Sequence, residues 1–270
     1  MLSRIKQDIL NQIKTMDGQT SMCFKNLITG EAFGYHEEEA FLPASIVKLP
    51  LMAAILLMNH QGSTNWDELI TIHDSEKVPG CGAVQHMTGD VTLDIQTLSK
   101  LMITISDTTA TNALFRYYGA ERIGRAFAQL GLSGTVFRRA YWDTDAEEKG
   151  IQNYFVPKEM CTLLEQMFFR KLISSEASVQ LENLLLQQQI NHKMGGFLPP
   201  EFPIAHKTGE EEDKTHDVGI VYAKEPFVIC FASCGTDIPT FENFIRQSTL
   251  ELAVEIDPGL QTRNRFIHTL

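Results

Sequence analysis

Apolar residues at positions 2, 5, 9, 10, 13 and 16 recur at helical spacing, which predicts an amphipathic helix over residues 2–16, ended by Asp17-Gly18. The period then shortens. Residues 21–27 and 31–35 read as two strands joined by a tight turn at Ile28-Thr29-Gly30. The run 49–58 is apolar on every side and predicts a buried helix over about 45–59. A helix is predicted to begin at Thr92 as its N-cap, with Leu98, Leu101, Met102 and Ile105 on one face. Further helices are predicted through Leu114 to about Tyr118, over 120–130 closed by Gly131, from Pro157 through Met167, and over about 175–190. Segments 78–83 and 137–153 lack a period and read as loops, the first rich in Gly and Pro and the second long. Residues 218–222 and 227–233 are good strands. A strand carrying Lys207-Thr208-Gly209 precedes them, with the acidic 210–213 as a turn, and an amphipathic helix over about 240–255 closes the chain. This order predicts the α+β class, an α/β sandwich. An antiparallel sheet is built from both chain ends (about 1–45 and 200–270), and a helical lobe (about 46–199) is inserted between them in one domain.

Composition narrows the function classes. A chain of 270 residues with 43% hydrophobic content suits one large domain or two closely packed lobes. The net charge of −11 argues against nucleic-acid binding through a basic patch. No apolar run approaches the ~18 residues a membrane span needs. Charges interrupt every apolar pair of the first ten residues, so no signal peptide is read. The expectation is a cytoplasmic protein, or a secreted or periplasmic one if a leader has been removed. Five cysteines are widely spaced. Cys23, Cys161 and Cys230 read as small core residues, and Cys230 and Cys234 lack a matching Cys or His pair, so no zinc site, other metal or cofactor is implied.

Three short stretches carry candidate chemistry. Ser45 and Lys48 lie three residues apart at the start of the buried helix, where the amine can reach and activate the hydroxyl. Burial would depress the Lys48 pKa and make it a better base, and the helix N-terminus favours oxyanion charge. The alternative is that Ser45 only caps the helix and Lys48 snorkels. Ser106-Asp107-Thr108 sits at a junction between helices, where a hydroxyl can enter a cleft or merely cap. Lys207-Thr208-Gly209 lies on a strand whose glycine permits close approach of a ligand.

In that order, Ser-x-x-Lys, Ser-Asp-Thr and Lys-Thr-Gly resemble the signature of class A β-lactamase-like serine hydrolases, in the β-lactamase and penicillin-binding superfamily. The resemblance covers essentially the whole chain. It implies that Ser45 is the nucleophile, Lys48 its base, and Ser106 the relay of a proton to the leaving nitrogen. Lys207 and Thr208 would receive a substrate carboxylate, and the backbone N–H groups of Ser45 and Glu210 would form the oxyanion hole. Thr108 stands where the family usually has an Asn that grips the acyl side, and Asn112 matches a second Asn that holds the deacylation loop. In that loop Asp143 falls on the position of the family's water-activating Glu, and Glu147 on that of an Asn. Asp145, Glu147 and Glu148 could compensate for the shorter Asp, or the group could simply be a solvated face. The acids of 210–213 would repel an anionic substrate unless Lys214 or His216 supplies positive charge. Cys81 lies in a loop resembling the rim of the cleft. The implied substrate is a small molecule, a β-lactam or acyl-peptide. The alternatives are a penicillin-binding D-alanyl carboxypeptidase or transpeptidase, and a ligand-binding homologue without turnover.

Overall fold

The structure, a computed structural model, describes residues 2–260. Helix α1 (Leu2–Lys14) buries Ile9 and Ile13 and is followed by the hairpin of β1 (Gln19–Asn26) and β2 (Ala32–Tyr35), with Phe24 opposite Phe33. After the bridge of Phe41 to Phe155, a 3-10 turn at Ala44–Val47 feeds α2 (Lys48–His60). Next come β3 (Leu69–Ile72), β4 (Val91–Asp94) and α3 (Ile95–Thr104). Thr92 is therefore not a helix cap. It lies in β4 opposite Thr71, and Asp94 caps α3 by accepting from Thr97 N at 2.6 Å. The alternation Val91-Thr92-Leu93-Asp94 is a strand period, and pairing with β3 satisfies it.

Helices α4 (Thr108–Tyr118), α5 (Ala120–Gln129), α6 (Thr144–Glu148), α7 (Pro157–Phe168) and α8 (Ser175–Leu185) follow. The short α6 lies inside the stretch whose pattern reads as loop. Helix α8 stops sooner than its pattern suggests: Gln187 N and Gln188 N tighten to the i−3 carbonyls, Gln189 N turns to Thr104 O, and the Gln188 side chain accepts from the N–H groups of Gln189 and Ile190. Strands β5 (Ile204–Glu211), β6 (Lys214–Val221) and β7 (Phe227–Cys234) precede α9 (Ile238–Ile256). Glu210 and Glu211 are thus strand residues, and only Glu212 and Asp213 make the turn.

The five-stranded antiparallel sheet runs β2-β1-β7-β6-β5, so strands from opposite chain ends are neighbours. Side chains alternate across it. Phe227, Ile229 and Phe231 enter one core with Ile9, Phe241 and Ile245, under α1 and α9. Val228, Cys230 and Ala232 enter the other, with Cys23, Cys161 and the α2 residues. Helix α2 is apolar on every side and correspondingly central, with ten buried residues. Among the described residues no helix is long and apolar enough to cross a membrane.

Candidate active site

Ser45 lies in the 3-10 turn rather than in the α-helix that the apolar run predicts. A 3-10 turn has about three residues per turn, so positions i and i+3 eclipse. Lys48 Nζ accordingly lies 2.9 Å from Ser45 Oγ. Lys48 is fully buried, and its amine also reaches Ser106 O at 2.8 Å and Ser106 Oγ at 3.1 Å. Ser106 joins α3 to α4 in the left-handed region, φ +57°, a conformation that turns carbonyl and hydroxyl toward the same amine. From β5, the buried Lys207 donates to Ser106 Oγ at 3.0 Å and to Thr208 O at 2.8 Å. Ser45, Lys48, Ser106 and Lys207 are thus one connected series.

Burial pushes the Lys48 amine down to about 7, against the smaller opposing pull of nearby acidic groups such as Asp107 and Glu211. Lys207 lies well below the ordinary lysine range through burial and the neighbouring Lys48. Two amines facing one hydroxyl in an apolar setting cannot both hold their charge cheaply.

Gly209 has a different use from the one its place suggests. A Cβ there would lie 3.0 Å from Pro43 O, Ile46 Cγ1 and His216 Cδ2, so what approaches the strand is the nucleophile's own turn. Thr208 is buried beside it. Glu210 lines the cleft, with its carboxylate 3.4 Å from Lys193 Nζ and 3.6 Å from His192 Nε2. The buried Lys193, which no motif flags, donates to Gly209 O at 2.9 Å and stiffens the strand.

On the opposite wall, Thr108 N donates to Cys81 O at 3.0 Å, and Cys81 is exposed at the rim. Asp107 fixes this wall. Oδ1 caps α4 through Ala110 N, and Oδ2 accepts from Ala83 N and Val84 N at 2.7 and 2.9 Å.

Asn112 holds the loop, the role the resemblance implies, and does not itself line the cleft. It clasps a backbone, donating to Tyr141 O at 2.9 Å and accepting from Tyr141 N at 2.8 Å. The side chain so presented is a phenol. Tyr141 OH donates to Ala44 O at 2.6 Å, and its ring centroid lies 4.9 Å from Lys48 Nζ. Burial raises its pKa, so it stays protonated. Asp143 is spent as the N-cap of α6, accepting from Ala146 N at 3.0 Å, and does not line the cleft. Asp145 and Glu148 are exposed outside it. Glu147 does line it, held by Arg139 at 3.0 Å and Gln152 at 3.1 Å. Trp142 ties this loop to the rim by donating to Pro79 O at 2.7 Å.

Neither expected cation is free. His216 is fully buried; its Nδ1 accepts from Ser233 N, which leaves Nε2 to donate to Leu42 O. Desolvation pushes it down to about 3, so it remains neutral. Lys214 pairs with Asp213 and, at 3.4 Å, with Glu211. The cleft above Ser45 encloses about 570 Å³. A cavity of about 990 Å³ between α3 and α8 is larger, but it lies away from the lysine–serine series.

The family model described as the β-lactamase enzyme family matches residues 4–250. β-Lactamase FAR-1 of Nocardia farcinica is 23% identical over 216 residues, which cover 77% of this chain and 68% of that protein. A β-lactamase structure from Sphaerobacter thermophilus superposes with TM-score 0.83 at 23% identity, over 95% of this chain and 98% of that one. PBP-A superposes at 0.84 and 23% identity, over 95% and 97%, and a PBP-A mutant of equal likeness is an acyl-enzyme complex with penicillin G.

Proposed function

We propose that this chain, which belongs to the β-lactamase enzyme family, is a serine hydrolase that opens β-lactams or related amides and esters through an acyl-enzyme on Ser45. The observation that carries this reading is the unbroken series Ser45 Oγ, Lys48 Nζ, Ser106 Oγ, Lys207 Nζ, each step between 2.9 and 3.1 Å. Neutral Lys48 takes the Ser45 proton as Oγ bonds to the substrate carbonyl carbon. The oxyanion so formed is held by the backbone N–H groups of Ser45 and Glu210, an arrangement worth about 3–4 kcal/mol in comparable hydrolases. The proton then passes through Ser106 Oγ to the leaving nitrogen as the C–N bond breaks. Lys207 keeps Ser106 Oγ oriented by donating to it at 3.0 Å. Thr108 and Gly80, which both line the cleft, shape the acyl side.

Incubation with benzylpenicillin followed by intact-protein mass spectrometry tests the proposal. The expected result is a mass gain of one drug molecule on Ser45, lost in Ser45→Ala. An adduct that survives Ser45→Ala would place the chemistry elsewhere.

A second reading, penicillin-binding behaviour with a persistent acyl-enzyme, is favoured by one observation: the side chain beside Lys48 is a phenol and not a carboxylate. The acyl-enzyme of the PBP-A mutant with penicillin G is a precedent for such a species on this fold.

A further inference from the structure

The cavity of about 990 Å³ between α3 and α8 plays no part in the chemistry at Ser45. Its volume is at the upper end of small-molecule sites, which span about 300–1,000 Å³. The two helices form its walls, and the buried Met52 of α2 lies beneath them. Trp66 completes the lining and is pinned to the start of α3, its carbonyl accepting from Gln96 N at 3.1 Å.

The polar groups of this lining are not used within the protein. Ser99 is 1% exposed and its hydroxyl has no hydrogen-bond partner, one of two such buried side-chain atoms among the described residues. A helical Ser or Thr ordinarily donates to the i−4 carbonyl. Ser178 does so to Ser174 O at 2.8 Å, and Thr104 to Lys100 O at 2.9 Å. Ser99 instead lines the cavity. The carboxamides of Gln96, Gln180 and Asn183 line it too, and they also have no partner among the described residues. Its one cation, Lys100, and its one acid, Glu176, leave the lining neutral overall.

Hydroxyls and carboxamides both donate and accept, so they match a ligand whose groups do the same. A lining without net positive charge does not favour an anion. The indole of Trp66, with Val179 and Leu184, offers apolar surface to one face of a ring. Helix main-chain groups are already bonded along the helix, so these walls present no strand edge to an extended peptide.

We propose that this cleft is a second binding site, for a neutral saccharide, with sugar hydroxyls bonded to Ser99 and the carboxamides and a ring face set against Trp66. The site shares no residue with the lysine–serine series and is independent of the acyl-enzyme reading.

The chain has two Trp, so Trp142→Phe leaves Trp66 as the one reporter indole. In that background, fluorescence is titrated with maltotriose, cellotriose, tri-N-acetylchitotriose and, for comparison, a capped tetra-alanine peptide. At least one sugar should give a saturable change with a Kd of roughly 1 mM or tighter. Ser99→Ala should weaken that binding at least about threefold without lowering the melting temperature, because the hydroxyl it removes has no partner in the free protein. Gln180→Leu should also weaken it at least about threefold. Ser45→Ala should leave it unchanged. The proposal is overturned if no sugar gives a saturable change, if the peptide binds and the sugars do not, or if folded Ser99→Ala and Gln180→Leu both bind as tightly as their parent. Loss of sugar binding in Ser45→Ala would place the sugar in the cleft above Ser45 and overturn it equally.

Discussion

A lysine without solvent contact is an expensive residue, and Lys48 shows both what it costs and what it provides. Its folded-state pKa of about 7 lies below the ordinary 10.5, so folding releases a proton between those values. The destabilisation is complete below about pH 7 and fades toward pH 10.5. Lys48→Met should therefore raise the melting temperature, by the equivalent of a few kcal/mol near pH 6.5, and this advantage should shrink near pH 9.5. A pH-independent gain would contradict a depressed amine. The same depression leaves a neutral base at physiological pH, so acylation by benzylpenicillin should rise with pH through about 7 and then level off. Lys48→Arg should acylate at least about 100-fold more slowly, because a guanidinium does not release its proton. A rate flat from about pH 5.5 to 9 would assign the proton transfer to another group. Residue types at fixed spacing, such as Ser45 with Lys48, were legible because only local geometry is needed to join them. Tyr141 was not. Which residue of an aperiodic loop faces the site depends on Asn112, 29 positions away, and an Asp near the right place in the string is the more obvious candidate. His216 was open for a similar reason, since only its burial decides that it stays neutral.

Besides the lysine–serine series, two residues bring the elements of this site close together. Asp107 caps α4 and holds the 78–86 segment by two loop N–H groups. Asp107→Ala removes a cap worth about 1 kcal/mol and leaves two N–H groups short of a partner, so urea denaturation should show a loss of roughly 3 kcal/mol. A loss below about 0.5 kcal/mol would mean that the segment is held by other contacts. Gly209 lets β5 close on the 3-10 turn, and one of the atoms a Cβ would meet at 3.0 Å is a backbone oxygen. Gly209→Ala should separate the two elements by a few tenths of an ångström. The expected effect is slower acylation and about 1–3 kcal/mol less stability. Unchanged acylation would show that the strand and turn can part without harm. Most elements were legible from period alone: α1, the β1–β2 hairpin, α2, α4, α5, α7 and the last two strands. The error at Thr92 has a physical cause. Four residues of alternation do not declare a strand until a partner is found, and the partner of β4 is β3, some twenty residues earlier. The beginning of β5 was legible, but its extension through Glu210 and Glu211 was hidden by their charge, which is tolerable on a strand at the sheet edge.

The molecule as a whole joins its first and last strands, β1 against β7, and so seats the Lys207 strand beside a nucleophile that enters from the far end of the chain. That arrangement followed from the order of periods, because a hairpin at one end and three strands at the other have one economical solution, a shared antiparallel sheet. The field around the site is a property of the same scale. Net charge is −11, and Glu147, Glu210, Glu211, Glu212 and Asp213 ring the cleft. The cations on its lining, Arg139 and Lys214, are paired with acids, and the two lysines at the floor are buried with depressed pKa values. An anionic penicillin therefore approaches through a repulsive field before it meets Ser45. Raising salt from about 10 mM to about 150 mM shortens the screening length from roughly 30 Å to roughly 8 Å. The second-order rate of acylation by benzylpenicillin should then rise a few-fold. A zwitterionic penicillin of the same ring system should respond less, because its ammonium is attracted by the field that repels its carboxylate. If acylation by the anionic drug instead falls with salt, the positive charge of Lys207 reaches the cleft mouth and outweighs the acidic rim. Burial of that lysine would then not be silencing it, and the repulsion assigned to residues 210–213 would have no effect on substrate choice.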